Sequence, residues 1–193
     1  MMKKFILIIG LILLGTGSAF ALSMPRWANF PVNVNIQTDE KTVNMAPVVK
    51  QAFQTWQTNS GSILKFLYKN SGVIGKNAQI HVYFVNDLSQ NAYYEIEPMA
   101  NAAYYYMNAP IQGFYTHVNI KIRNKELDGS KLSRRKLYAI SLQAVGRAMG
   151  VNCLSVEGSA MSCNTDFKSQ ALTAKDIDAL KQVYRYQSVK RKN

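Results

Sequence analysis

Histidine and cysteine are scarce in this chain of 193 residues, with two of each. A three-histidine metal site therefore cannot be assembled from one copy of it. Acidic residues are few as well, 11 against 23 lysines and arginines, for a formal charge of +12. Beyond the first residues, no apolar run approaches the ~20 residues that span a bilayer. The G-x-S-x-G elbow, the phosphate-binding P-loop and the dinucleotide-binding glycine pattern are all missing. Glu95 and Glu97 lie close together with no other acid marked by context. They read as a solvated acidic loop rather than an acid/base pair. Internal repeats and low-complexity tracts are absent too.

What is present begins with Met1-Met2-Lys3-Lys4, an apolar run from Phe5 to Leu14, and small residues ending in Ala19-Phe20-Ala21. Positive start, apolar middle and A-x-A end are the signature of a secretory signal peptide cut after Ala21. Residues 1–21 are thus expected to be a signal and 22–193 a single domain, secreted or periplasmic, with no transmembrane segment after cleavage. No cysteine follows the small residues, which argues against a lipoprotein anchor. Loss of Lys3 and Lys4, with no acid in the signal, lowers the charge from +12 to +10. That excess suits an anionic surface. The cations are spread along the chain, which equally fits plain solubility, and nothing marks a specific nucleic-acid partner.

Hydrophobic periodicity gives the elements. Val32, Val34 and Ile36 alternate with polar residues, the period of a half-buried strand. From Met45 to Asn59, the residues Val48, Val49, Ala52, Phe53 and Trp56 recur at helical spacing, with Pro47 in the first turn. Strands are predicted over Ile63 to Lys69 and Gln79 to Val85. An edge strand is expected over Ala102 to Met107. A further strand should turn Thr116, Val118, Ile120 and Ile122 inward and Tyr115, His117, Asn119 and Lys121 outward. Leu132 to Met149 predicts a central helix capped by Ser133. A last helix starts at Thr173, with Asp176 three residues on. The expected fold class is α+β: a twisted mixed sheet of four to five strands, two long helices packed on it, and a C-terminal helix.

The stretch Leu142 to Cys163, LQAVGRAMGVNCLSVEGSAMSC, carries the most information. A helix runs into Gly150, the chain turns, and Met161 follows among small residues. This pattern resembles the active-site helix and Met-turn of metzincin zinc peptidases, and the order of elements is similar to the catalytic domain of their matrixin branch. Val49 to Trp56, Ile80 to Phe84, Ser159-Ala160-Met161 and Leu172 to Tyr184 look like further pieces of that domain. The resemblance implies a zincin-like fold and, at the H-E-x-x-H-x-x-G-x-x-H frame, zinc with a general-base Glu. The chemistry departs from it. Gln143 stands at the first His position, Ala144 at the Glu, Arg147 at the second His and Cys153 at the third. Gln is a poor zinc ligand, Ala takes no proton, and Arg sets a fixed cation where a metal would sit.

No cofactor or metal is therefore expected, and no catalytic residue. Cys153 and Cys163 flank the turn. A disulfide there would staple the loop, free thiols and a thiolate metal ligand being the alternatives. Met161 reads as core under the central helix. Arg147 either grips a carboxylate from a cleft floor or lies on the helix surface. Tyr104, Tyr105 and Tyr106 either rim that cleft or pack in a strand. The leading reading is a pseudo-peptidase that holds a peptide or protein in the degenerate cleft. The alternatives are a zinc endopeptidase with substituted ligands and a basic protein of the cell envelope or another anionic surface.

Overall fold

A computed structural model describes residues 25–68, 78–89, 92–100, 105–106, 109–110, 113–164 and 166–185. The expected signal peptide lies outside these residues. In chain order the elements are β1 (Val32–Ile36), α1 (Ala46–Asn59), β2 (Phe66–Tyr68), β3 (Ile80–Val85), β4 (Tyr94–Ala100), β5 (Tyr105–Tyr106), β6 (Ala109–Pro110), β7 (Tyr115–Arg123), α2 (Arg134–Ala148) and α3 (Ala174–Tyr184). Five strands form one mixed sheet in the order β2-β1-β3-β7-β4, and β5 pairs with β6 separately. The contacts from β2 through β7 are parallel, while β4 runs antiparallel along β7. The fold is α+β with three helices, as the element pattern predicts.

Alternation decides which face is covered. Val32, Val34, Phe66, Ile80, Val82, Val118, Ile120 and Ile122 are all buried on one side. They form one core with Ala52, Phe53 and Trp56 of α1 and Leu137, Ile140, Ala144 and Val145 of α2. The two helices are also joined by polar contacts. Trp56 Nε1 donates to the Leu142 carbonyl at 2.8 Å, and the hydroxyls of Thr55 and Tyr138 lie 2.7 Å apart. Each large side chain wholly buried in this layer contributes roughly 1.5–3 kcal/mol. The other face of the sheet carries Asn35, His81, Asn119 and Glu97 in one register row and Tyr83, Lys121 and Glu95 in the next.

Two expectations are corrected here. The edge strand of the sheet is Tyr94–Ala100, not Ala102 to Met107, of which Tyr105–Tyr106 belong to the small ribbon and the rest lie outside the described residues. Glu95 and Glu97 are thereby strand residues rather than loop residues. Lys121 bonds to Glu97 and sits opposite Glu95 in the register. The second correction concerns the start of β7. Tyr115 is buried and Thr116 exposed, the reverse of the extrapolated alternation. The register of β4 on β7 shifts between Met99 and Ala100, and an irregularity of this kind reverses which face a side chain takes. Tyr115 is thus turned onto Trp27, with ring centroids 5.5 Å apart.

Candidate binding cleft beside the central helix

The central helix is positioned at both ends by local chemistry. Ser133 Oγ accepts from the Lys136 amide at 3.1 Å, which satisfies one free N–H of the first turn. At the other end Gly150 takes φ +85°, and its amide donates to the Arg147 carbonyl at 2.9 Å while the Val151 amide donates to that of Gly146 at 3.0 Å. This pair of bonds closes the helix with a left-handed residue, a role that suits glycine. A Cβ on Gly150 would also meet the Pro25 carbonyl oxygen at 2.5 Å.

The chain then folds back beneath α2 as a turn centred on Met161. Asp176 holds that turn. Its carboxylate is fully buried and accepts from the amides of Ala160 (3.2 Å), Met161 (3.1 Å) and Thr173 (2.7 Å), and from the hydroxyls of Ser159 and Thr173. The capping box is present as the sequence suggests. The long-range grip of the same carboxylate on Ser159–Met161 is not visible in the sequence. Met161 is fully buried and fills the space left by the missing side chain of Gly146, where a Cβ would run into its Sδ and lie 2.6 Å from Trp56 Cζ2.

The four degenerate positions fall as follows. Gln143 is 5 % exposed, and its Nε2 donates to the Ser162 carbonyl at 2.6 Å, so the amide ties the helix to the turn. Ala144 is wholly buried and offers no acceptor. Arg147, one turn further on, is half-buried, and its Nη1 donates to Asn152 Oδ1 at 3.3 Å. Among the described residues it forms no ion pair. Cys153 is bonded to Cys163 with Cα atoms 4.9 Å apart, so the pair is a disulfide and not a thiol or a thiolate ligand. These groups do not fit a zinc ion. One is an amide already engaged, one a methyl group, one a cation and one a disulfide sulfur.

No family model matches the chain, and no curated protein matches it.

The local electrostatics complete the site. Burial pushes the Tyr115 phenol up to about 12, with the Arg147 cation pulling against it. Tyr94 is raised by burial in the same way and opposed by the same cation. Arg147 therefore acts on phenols from both ends of the β4–β7 pair. Neither tyrosine stands out in the sequence as a partner of Arg147. On the turn side of α2 lies a small hollow, no larger than a water molecule, lined by Ala139, Gln143, Ser159, Ala160, Ser162 and Phe167 among others. Tyr104, one of the expected rim residues, lies outside the described residues, and Tyr105 and Tyr106 form β5.

The two histidines sit on the opposite face of the sheet. The rings of His81 and His117 are 4.9 Å apart by centroid, and His117 Nε2 lies 2.9 Å from Asn119 Oδ1. With Cys153 locked in the disulfide, a mixed Cys153, His81 and His117 set is not assembled. Among the described residues no three His, Cys, Asp or Glu side chains gather at metal-binding distance.

Proposed function

We propose that this chain is an exported, matrixin-like protein that has exchanged catalysis for binding, and that it holds an extended peptide against the edge strand β4, beside α2. The observation that carries the reading is the Gln143–Ser162 bond. In the resembled frame a metal would tie the helix to the loop beyond it. Here a side-chain amide and the Cys153–Cys163 disulfide make that connection. The strand order with a single antiparallel edge, the Gly150 turn and the buried Met161 support the matrixin-like part of the reading. Among the described residues β4 is an edge strand, and such an edge offers backbone groups to a peptide without any metal. Arg147, half-buried and free of ion pairs among the described residues, supplies a fork for a carboxylate on that peptide.

The test combines elemental analysis with a peptide-library selection on the purified protein. The expected result is no stoichiometric transition metal, no cleavage, and peptide binding that falls about tenfold or more in Arg147→Ala. Stoichiometric zinc that disappears in Cys153→Ser, or metal-dependent cleavage of library peptides, would overturn the reading.

A further inference from the structure

The segment joining β7 to α2 violates two electrostatic rules at once. Lys125 and Lys131 are partners in an antiparallel bridge, which sets two ammonium groups on the same side of a tight turn. Like charges placed opposite one another repel. Arg134 and Arg135 then open α2, whose first turn holds no acid. Cations there oppose the partial positive charge of the helix start. Lys131, Arg134 and Arg135 are exposed, and none of the four cations forms an ion pair among the described residues. The acids of the turn offset them only in part, two against four, and one of the two is taken up by Lys136. Glu126 is engaged by Lys136 at 2.6 Å and by the Tyr93 hydroxyl at 2.6 Å, and Asp128 accepts from the Ser130 amide at 2.9 Å. Leu127 stands at the tip of the same turn, 48 % exposed.

Local conflicts of this kind are retained where a ligand relieves them. We propose that Lys125, Lys131, Arg134 and Arg135 form a docking patch for a bilayer rich in anionic phospholipid, with Leu127 entering the headgroup layer. The four cations supply charge complementarity to a surface of phosphates. The exposed leucine at the tip favours lipid over nucleic acid, since a nucleic-acid backbone offers it no apolar contact. Asp128 opposes the contact and sets its strength. The patch lies on the β7–α2 connection, so this proposal stands whether or not the cleft binds peptide.

Vesicle flotation tests it, with the exported protein (residues 22–193) and vesicles either of neutral phosphatidylcholine or with about a third phosphatidylglycerol, at about 0.1 M salt. The wild type should float with the anionic vesicles only. Lys131→Gln/Arg134→Gln/Arg135→Gln should partition on the order of a hundredfold less, each cation being worth roughly fivefold. Asp128→Asn should partition more, and Leu127→Ser less at an unchanged salt dependence. A control with equal charge loss, Lys41→Gln/Lys65→Gln/Lys181→Gln, should differ little from wild type. Equal losses in patch and control variants would mean that net charge alone attracts the protein, and would overturn the assignment. So would absence of flotation, or binding of a duplex oligonucleotide as tight as that of vesicles and indifferent to Leu127→Ser. The triple Gln variant removes repulsion and should fold at least as well as wild type, which keeps a loss of binding interpretable.

Discussion

The side-chain amide of Gln143 donates to the Ser162 carbonyl at 2.6 Å across 19 residues of chain, with the amide almost entirely shielded from water. The bond joins the middle of α2 to the loop that carries Met161. Truncation to Ala leaves the partly buried Ser162 carbonyl without that donor and opens a gap beside the hollow. Gln143→Ala should cost about 1–3 kcal/mol in urea unfolding. Gln143→Glu should cost more than the Ala variant at neutral pH, because a carboxylate cannot donate to Ser162 and repels its oxygen. A Glu variant as stable as wild type would show that the bond does not hold the loop.

At Gly146 the helix α2 meets both Trp56 of α1 and Met161 of the turn. A methyl group there overlaps Met161 Sδ and lies 2.6 Å from Trp56 Cζ2. The thioether can shift, but the indole is held by its bond to the Leu142 carbonyl. Gly146→Ala should therefore destabilise by about 1–3 kcal/mol despite the better helix propensity of alanine. Met161→Ala alone should leave a cavity and cost about 2–5 kcal/mol. The double variant should lose less than the sum, since the new methyl enters the space that the methionine vacates. Strict additivity, measured by thermal or urea unfolding, would contradict this packing.

Asp176 gathers donors from both ends of the loop between residues 159 and 173. Asp176→Asn replaces one acceptor oxygen by a donor that faces other donors. The expected cost is about 3 kcal/mol or more, against about 1 kcal/mol for Thr173→Ala, which removes only the helix cap. If the two variants unfold at the same denaturant concentration, the carboxylate acts as a cap and not as the anchor of the turn.

Local signals were legible in the sequence and tertiary ones were not. The caps at Ser133 and Thr173 depend on residues three apart, so the sequence displays them. The five buried positions of α1 follow its helical spacing. The edge strand is hidden because Glu95 and Glu97 read as a solvated loop, and the strand itself contains Pro98. Proline is tolerated on an edge, and Glu95 and Glu97 gain Lys121 and Asn119 as cross-strand neighbours only once β7 is alongside. In the candidate site, the positions along α2 were readable from the frame around Gly150. The Ser162 partner of Gln143, the two phenols near Arg147 and the facing of Lys125 and Lys131 each arise from chain reversals that no short-range pattern encodes.

His81 links the second face of the sheet to the stability of the whole. It is 7 % exposed, its Nδ1 makes no well-formed hydrogen bond among the described residues, and its ring lies beside those of Tyr83 and His117. Burial, followed by the neighbouring His117, holds its pKa below the ordinary 6.5. The unfolded chain therefore binds the proton more readily than the native one. Stability linked to this group is fully present above about pH 6.5 and is lost as pH falls through the native value. The urea midpoint should drop on going from neutral to mildly acidic buffer. His81→Gln should flatten that dependence. His117→Gln should weaken it only in part, because burial is the larger cause and remains. A midpoint that rises on acidification in the wild type, or a His81→Gln variant with an unchanged pH profile, would show that another group controls the acid limb.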